Sequence, residues 1–305
     1  MPITENKLKE IMLYLVDNGE TETLKKYKLK HDTLRRYKDS ARFETTKIPK
    51  VLLLDIETTP MEVFVWGLFV PGKRISHENI IKSWNCVSWS AKWLFSSEVM
   101  SDVLTPEESR KRDDRRILKS VWKLLEDADI VIGHNGDKFD IPRLNTRFIL
   151  NGMHQPTPYQ TIDTLKVSRK FSFASNRLDY LGDLVRRKGK VKTDFKLWTR
   201  CVAGDREALD YMVAYNREDV LLLEEVYVWL RPWIKSHPNM GLYIDSDKEV
   251  CGNCGSDDIE WGGTYATSVN KYSAFRCNNC KTTGRCRISA LSKEKRKQLT
   301  TTLAR

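Results

Sequence analysis

The sequence predicts a mixed α/β fold in which a β-sheet is flanked by helices. Strand patterns come first, at 50–57, 62–69 and 84–95, and the third of them alternates as WNCVSWSAKWLF. Helical and strand patterns then follow in turn up to position 235. Successive strands followed by alternating helices and strands are typical of a mixed sheet with helices on its faces.

The later elements of this region have distinct signals. Thr105 begins a capping box, with proline beside it and Glu108 three residues later, which predicts one helix that continues through Leu125. The run DIVIGHN predicts a buried strand, a helix is expected over 139–151, and a further strand is expected near QTIDTL. The segment DYMVAYNREDVLLLEEVY predicts a long helix.

We divide the chain into three segments, 1–46, 47–235 and 236–305. The sequence of the first segment predicts three short helices, and the third helix carries a basic face that includes Arg35 and Arg36. This arrangement resembles a helix-turn-helix, whose recognition helix lies in a major groove, so both arginines are candidates for binding nucleic acid. A small helical bundle with a solvated charged face, or a module that docks another protein, fits the same pattern.

The composition favours a polyanionic partner. The chain of 305 residues carries 52 basic and 41 acidic side chains, a formal net charge of +11, although many basic proteins bind no nucleic acid. The apolar run IMLYLV near the N-terminus is too short to span a bilayer, and no basic segment of the signal-peptide type precedes it. We therefore expect a cytoplasmic protein without membrane contact.

Two carboxylates close the first apolar strand, VLLLDIETTP. Side chains alternate along a strand, so Asp55 and Glu57 point to the same side. Like charges at the end of a core strand repel each other and resist burial, so either the strand ends in solvent or a cation neutralises them. Further along, Asp140 follows a buried strand at the start of a helix, and Tyr215 and Asp219 lie one turn apart on one helix face.

The segments DIE, HNGDKFD and YNRED resemble, in this order, the three motifs of the DEDD exonuclease superfamily. These motifs are D-x-E, an aspartate after N-x3-F, and the Y-x3-D of the tyrosine-bearing (DEDDy) subgroup. The resemblance covers about 50–235 and is closest to stand-alone, phage-type exonucleases related to the proofreading domain of B-family polymerases. It implies a ribonuclease H-like fold with a five-stranded mixed sheet, and the cytoplasm of a bacterium or of a phage-infected host.

The resemblance also implies a role for each motif residue. Asp55 would bridge two Mg²⁺ or Mn²⁺ ions, Glu57 and Asp219 would hold the ion that activates water, and Asp140 would support the second ion, largely through water. Tyr215 would orient the attacking water. The residue types suit this chemistry, because hard divalent ions take oxygen ligands and two such ions serve the water, the phosphorus and the leaving oxygen together.

Four further residues lie close to these motifs. Asn135 and Phe139 are candidates for contact with the terminal nucleotide of a substrate, and they fit equally well as turn and core residues. Asp163 is expected to cap a strand end. Asp137 adds another acid beside the second motif, and the sequence assigns it no role.

The cysteines predict a metal site near the C-terminus. The chain has seven cysteines, and five of them lie between 251 and 286. Two C-x2-C pairs, 22 residues apart, are formed by Cys251, Cys254, Cys277 and Cys280. Four thiolates in two such pairs suit one tetrahedral Zn²⁺, so the region resembles a zinc ribbon rather than a disulfide framework.

The surroundings of these pairs leave the role of the ribbon open. The segment between the pairs predicts a small β-hairpin, and Cys286 in the alternating run RCRIS is expected to be buried in a strand. From 281 to 305 the chain has eight Lys or Arg against one acid. A structural zinc with a basic, aromatic surface often binds nucleic acid, but ribbons also serve only to stabilise a fold or to dock another protein.

The sequence therefore predicts a stand-alone, metal-dependent 3′–5′ exonuclease that acts on nucleic acid, with DNA favoured over RNA. A structure-specific endonuclease of the same fold, and a non-catalytic nucleic-acid-binding regulator, are the alternatives. A protein partner that binds the N-terminal helices or the ribbon is also compatible with the sequence.

Overall fold

The computed structural model describes residues 11, 23–34, 49–68, 75–186 and 193–301. Within the N-terminal segment, residues 23–27 and 31–34 are helical. Most of the predicted helix-turn-helix, including Arg35 and Arg36, lies outside the described residues.

The central sheet contains five strands and is mixed. The strands up to residue 163 are β1 (Val51–Thr58), β2 (Glu62–Val63), β3 (Ile80–Lys82), β4 (Cys86–Trp93), β5 (Met100–Val103), β6 (Ile130–Gly133) and β7 (Gln160–Asp163). The strand order is β5-β4-β1-β6-β7. β1 is antiparallel to β4 and parallel to β6, β4 is antiparallel to β5, and β6 is parallel to β7. This architecture confirms the predicted fold class.

Two strand predictions differ from the structure. The strand predicted over 62–69 is only Glu62–Val63, which pairs with β3 in a hairpin outside the central sheet. The side chains that follow it, such as Phe64 and Trp66, are exposed, so no core holds this segment extended. β5 was not predicted. It is a partly exposed edge strand of sequence MSDV, so its apolar pattern is weak.

Helices cover the sheet on both faces. They are α1 (Pro106–Lys111), α2 (Arg115–Asp127), α3 (Asp140–Leu150), α4 (Thr164–Ser168), α5 (Leu178–Arg186), α6 (Phe195–Val202) and α7 (Arg206–Leu230). β1 alternates between two buried clusters, because Leu52 and Leu54 join one and Leu53 joins the other. Among the described residues, no helix is both long enough and apolar enough to cross a membrane.

The long helix α7 passes from one cluster to the other. Met212 belongs to the first cluster and Val220 to the second, so the helix positions between them lie where α7 passes β1. Glu224 then fastens α7 to the sheet, because it forms an ion pair with the buried Lys92 of β4 and accepts a hydrogen bond from the backbone N–H of Phe95 at 2.8 Å.

The prediction of a single helix from Thr105 through Leu125 is wrong, although the predicted capping box is present. The helix ends at Lys111, the capping residue Arg112 has a φ of 55°, and α2 begins at Arg115. The break places Asp114 in the interior. There its carboxylate accepts two hydrogen bonds from Arg147, both at 2.7 Å, and one from the backbone N–H of Cys86 at 2.9 Å.

The C-terminal segment contains a three-stranded antiparallel sheet of order β10-β9-β8. Its elements are β8 (Ile259–Ala266), β9 (Lys271–Cys277), β10 (Thr283–Arg285) and the short helix α8 (Lys293–Lys297). The predicted hairpin is present as β8 and β9. The prediction for Cys286 is wrong, because the edge strand β10 ends one residue earlier and leaves this side chain partly exposed.

This segment docks directly on the end of α7. Arg231 donates to the carbonyl of Asn253 at 2.6 Å, and the side chain of Asn253 donates back to the carbonyl of Arg231 at 3.0 Å. The hydroxyl of Thr282 also donates to the carbonyl of Pro232 at 3.1 Å. Hydrogen bonds from side chains to backbone carbonyls therefore hold the two cysteine pairs against the end of α7.

Candidate active site and cysteine cluster

Asp55 and Glu57 lie where β1 leaves the core. Both side chains are partly exposed, whereas Ile56 between them is buried. The pairing with β4 is regular through Glu57 and shifts after it at Thr58. The alternation of the strand therefore sends both carboxylates to the same side, as the sequence predicts.

Asp140 is the first residue of α3 and is 3% exposed. Its Oδ1 accepts a hydrogen bond from the backbone N–H of Ile56 at 3.0 Å, which ties the start of α3 to the segment of β1 between the two acids. Asn135 begins the turn that leads into α3. Its φ is 69°, and its carbonyl accepts from the N–H of Phe139 at 2.9 Å.

The remaining motif residues lie on α7. The side chain of Asn216, which is fully buried, donates a hydrogen bond to Asp55 Oδ2. Tyr215 and Asp219 are joined by a side-chain hydrogen bond across one helical turn. The sequence did not single out Asn216, although it stands inside the segment YNRED, because one sequence does not indicate which helix position meets β1.

The structure brings the five predicted residues together. We refer to Asp55, Glu57, Asp140 and Asp219 as the acidic cluster. Burial raises the pKa of Asp55 well above its usual value, and the charges of the other three acids raise it further. Burial raises the pKa of Asp140 to about 7. Burial and the adjacent charge of Asp219 also raise the pKa of Tyr215, so its hydroxyl keeps its proton at neutral pH.

Two residues of the acidic cluster, Asp55 and Asp219, line a cleft of about 480 Å³ together with Tyr215. The exposed residues Arg169 and Arg177 also line it. These two arginines could not be selected from the sequence, because the turns that place them beside the acids are determined by tertiary packing. The cleft thus combines a negative floor with basic residues at its edge.

His134 also lines the cleft, and both of its ring nitrogens are engaged. Nδ1 lies 2.9 Å from the hydroxyl of Thr164, and Nε2 lies 2.9 Å from the carbonyl of Asn176. Burial lowers the pKa of His134. Its geometry fits a residue that holds the cleft wall in place, since neither nitrogen is left for proton transfer.

Three of the neighbouring residues have structural contacts. Asp163 is the last residue of β7, but it caps the helix α4 rather than the strand, because its Oδ1 accepts from the N–H of Leu165 at 3.0 Å. The same oxygen accepts from the backbone N–H of Asn135 at 2.9 Å. Asp137, for which the sequence offered no role, forms an ion pair with Lys166 at 2.6 Å.

The four paired cysteines form a second cluster, which we call the cysteine cluster. The sulfur atoms of Cys251, Cys254, Cys277 and Cys280 all lie within 4.8 Å of one another. Within the described part of the chain, no other group of three or more potential metal ligands of the His, Cys, Asp and Glu types is this compact. All seven cysteines are free thiols. This arrangement is compatible with a zinc ribbon.

Each cysteine pair is followed by a residue in the left-handed region. Gly255 has φ 80° and its N–H donates to the carbonyl of Cys251 at 2.7 Å. Lys281 has φ 62° and its N–H donates to the carbonyl of Cys277 at 3.0 Å. The same tight turn therefore recurs in both pairs and brings the two sulfurs of each pair to one side.

Comparisons with known proteins agree with this architecture. Residues 94–231 match a family of the RNase H superfamily, a range that includes Asp140, Tyr215 and Asp219 but not Asp55 and Glu57. A comparison of sequences with curated proteins finds no match. The sheet order, the flanking helices and the family match together identify the fold as ribonuclease H-like.

A comparison with solved structures finds 201 matching chains. One of them is the family B DNA polymerase from the hyperthermophilic archaeon Pyrobaculum calidifontis, at 16% sequence identity and a TM-score of 0.45. The match covers 61% of this chain and 25% of the polymerase chain. This chain thus corresponds to about a quarter of that polymerase.

Proposed function

We propose that this protein is a metal-dependent 3′–5′ exonuclease of the DEDDy type, which hydrolyses phosphodiester bonds of nucleic acid and prefers DNA to RNA. The observation that carries the proposal is the convergence of the acidic cluster and Tyr215 from β1, α3 and α7. Asp55, Tyr215 and Asp219 of this group line one cleft. The order of the motifs and their resemblance to proofreading exonucleases support the 3′–5′ direction and the preference for DNA. The ribonuclease H-like fold supports nuclease chemistry in general.

The donors of the acidic cluster fit Mg²⁺ or Mn²⁺. They are all oxygen atoms, which are the ligands that these hard ions prefer. The three charges that act on Asp55 are all negative, so cations at this position would relieve the repulsion that raises its pKa. The side-chain Oδ1 of Asn216 is buried and has no hydrogen-bond partner among the described residues, which adds a further oxygen beside the acids.

Two ions rather than one follow from the resemblance to the DEDD motifs, because two divalent ions can serve the attacking water, the phosphorus and the leaving oxygen together. When bound, the ions supply Lewis-acid stabilisation of the phosphate and an activated water. In this proposal Asp55 would contribute to holding both ions, Glu57 and Asp219 would hold the ion that activates the water, and Asp140 would support the second.

The protein side chains then determine the geometry. Asn216 holds Asp55 in place by its hydrogen bond, and the N–H of Ile56 does the same for Asp140. Tyr215 keeps its proton and donates it to Asp219, so its hydroxyl oxygen can accept a hydrogen bond from the attacking water and orient it rather than act as a base. Arg169 and Arg177 at the edge of the cleft are placed to attract the phosphates of an entering strand.

The other parts of the chain have proposed roles as well. We propose that the cysteine cluster holds one structural Zn²⁺, because four thiolates in this geometry favour it. The ribbon also carries a basic, aromatic group, in which the guanidinium of Arg285 lies 3.8 Å from the ring centroid of Tyr272. This group supports contact with nucleic acid. The division into 1–46, 47–235 and 236–305, the contact through Arg35 and Arg36, and a protein partner stay predictions.

The decisive experiment uses matched single-stranded DNA and RNA oligonucleotides, labelled at the 5′ end, with Mg²⁺ or Mn²⁺. We expect stepwise shortening of the DNA from its 3′ end, release of mononucleotides, slower loss of the RNA and no reaction in a chelator. Oligonucleotides with a blocked 3′ end and circular DNA should stay intact. Cleavage of the circles would indicate an endonuclease of the same fold, and binding without any cleavage would indicate a non-catalytic regulator.

A further inference from the structure

A cation and two aromatic rings lie beside the acidic cluster. The guanidinium carbon of Arg143, on the first turn of α3, lies 4.3 Å from the ring centroid of Phe139 and 4.6 Å from that of Trp84. Its Nη1 donates to the hydroxyl of Thr58 at 3.3 Å. Phe139 directly precedes Asp140, and Thr58 directly follows Glu57. The guanidinium is thus attached at two of the three chain segments that carry the acids, β1 and the start of α3.

The aromatic contacts hold Arg143 in place and leave most of its N–H groups unused. A guanidinium packs on aromatic faces through its own flat face, so its N–H donors at the edge stay available. The bond to Thr58 is the one hydrogen bond that this side chain makes to a described residue. Arg143 forms no ion pair with a described acid. The side chains of Arg143, Trp84 and Phe139 are all partly exposed.

Other arginines nearby are used differently. Arg147, one turn further along α3, forms two hydrogen bonds to the buried carboxylate of Asp114. Arg112 donates to Pro60, Ser83 and Glu62 and so fastens the base of the β2–β3 hairpin. The side chains of these arginines are committed to the fold. Arg143 alone of the three combines a fixed position with unused donors.

The position of Arg143 also requires an explanation, because burial lowers its pKa and thus opposes its charge. The charge of Asp140 favours the cation, but the two side chains do not form an ion pair. A partly desolvated cation beside a cluster of acids is suited to an anion that reaches both the cluster and the cation at once. Phosphodiester groups of a strand that enters the acidic cluster meet this requirement.

We propose that Arg143, held by Trp84, Phe139 and Thr58, binds a non-bridging oxygen of a substrate phosphate close to the scissile bond. This inference rests on the proposed function, since it names a phosphate contact of the same site. The ligand class is a nucleic-acid phosphodiester, which a guanidinium recognises through paired N–H donors. Arg143 is therefore a substrate-binding residue that fixes where the strand lies relative to the acids.

The test compares Arg143→Gln with Arg115→Gln in the full-length protein. Both changes remove one positive charge, but Arg115 is 73% exposed at the start of α2. The probe is a 5′-fluorescein-labelled single-stranded DNA, whose binding is measured by anisotropy with Ca²⁺ in place of Mg²⁺, at several salt concentrations. We expect Arg143→Gln to weaken binding about 10- to 100-fold and to lower the salt slope by about 0.7. Arg115→Gln should change the affinity by less than about threefold.

A second measurement identifies the contact itself. DNAs with a single uncharged methylphosphonate, placed in turn at each of the last linkages of the 3′ end, are bound to the wild-type protein and to both variants. We expect one position to weaken binding to the wild type and to Arg115→Gln about tenfold or more, yet to leave binding to Arg143→Gln unchanged. Arg143→Lys should keep part of the affinity, because it retains charge without the planar donors.

The outcomes separate this inference from the proposed function. If the wild type binds and degrades DNA while Arg143→Gln and Arg143→Lys, both folded by circular dichroism, bind as the wild type does, the role of Arg143 is wrong and the proposed function stands. If each methylphosphonate weakened DNA binding equally in the wild type and in all variants, the proposed role of Arg143 would also be wrong. If the wild type neither binds nor degrades DNA or RNA, the proposed function fails, and this inference fails with it.

Discussion

The acidic cluster and the cysteine cluster are both predicted metal sites, but they are built in opposite ways. The four cysteines lie within one short stretch of chain, and each pair is shaped by a tight turn of its own backbone. The acids come from β1, α3 and α7, which are distant in sequence. Packing between these elements therefore determines the acidic cluster, whereas local turns determine most of the cysteine cluster.

The difference indicates how each site should depend on its metal. The acids repel one another, as the raised pKa of Asp55 indicates, so the surrounding core must hold them together. We therefore expect the nuclease-like part to stay folded without catalytic ions. The C-terminal sheet has mostly exposed or partly exposed strands and little core of its own, so we expect it to depend on zinc.

The largest expected effect is the loss of cleavage in Asp55→Ala. Because the change removes the proposed ligand of both ions, we expect the hydrolysis rate to fall by at least about a thousandfold, while binding of DNA is retained. The rate is measured by release of mononucleotides at saturating Mg²⁺. The matched control is Asp127→Ala, an exposed acid of α2 paired with Lys50. Activity of Asp55→Ala within tenfold of the wild type would contradict the two-metal assignment.

The second prediction concerns zinc. We expect one Zn²⁺ per chain by elemental analysis of protein purified without chelator, and none in the double variant Cys277→Ser/Cys280→Ser. Hydrogen exchange should then be rapid over about 250–290 and unchanged in the central sheet, because the two parts depend on different interactions. Cys286→Ser is the control, since this cysteine lies outside the cluster. Unfolding of the central sheet in the double variant would contradict the separation of the two sites.

The same double variant separates two roles of the ribbon. If the ribbon and the basic tail bind substrate, affinity for DNA should fall and its salt dependence should become shallower. The rate at saturating substrate should stay nearly unchanged. Loss of zinc with unaltered affinity would limit the ribbon to a structural or protein-docking role.

A smaller effect is expected for Tyr215→Phe. The change removes the hydroxyl that is proposed to orient water, and its hydrogen bond to Asp219, but no metal ligand. Hydrolysis should therefore slow by about 10- to 100-fold, while Mg²⁺ affinity by titration calorimetry is retained. Tyr211→Phe is the matched control, because it lies one turn earlier on α7 and is exposed. If Tyr215→Phe abolished metal binding, the hydroxyl would have a different role from the one proposed.

The smallest effect is on the stability of the metal-free protein. The pKa of Asp140 is raised to about 7 in the folded state, so this carboxyl binds its proton more tightly when the protein is folded. The stability that the proton contributes is therefore lost as the pH rises from the pKa of the unfolded state through about 7. In chelator, Tm should therefore fall between about pH 5 and 8. Asp140→Asn keeps an oxygen for the N–H of Ile56 and removes the charge.

We expect Asp140→Asn to raise Tm at pH 8 in chelator by about 3–6 °C, and to reduce the fall with pH. Scanning calorimetry at pH 5, 6, 7 and 8 measures both. Asp127→Asn is the control, because its exposed ion pair contributes little. A lower Tm for Asp140→Asn at pH 8 would indicate that the acidic cluster is not under electrostatic strain.

Local regularities of the sequence are sufficient for several features of both sites. The alternation of β1 predicts that Asp55 and Glu57 share a side, and helical spacing predicts that Tyr215 and Asp219 share a face. The two C-x2-C pairs predict the cysteine cluster. Within the strand, the helix face and each C-x2-C pair the relevant distance is short along the chain, so backbone periodicity or a single turn determines the geometry. The two pairs themselves are 22 residues apart and meet through the hairpin between them.

Contacts between segments that are distant in sequence could not be predicted from such local patterns. The bond from Asn216 to Asp55, the packing of Arg143 on Trp84, and the break between α1 and α2 around the buried Asp114 each depend on which elements become neighbours. Many polar residues along the chain have the same local pattern as these. Only the packing of the sheet and helices selects the few that meet, because side chains separated by many residues interact through the folded core and not through the chain between them.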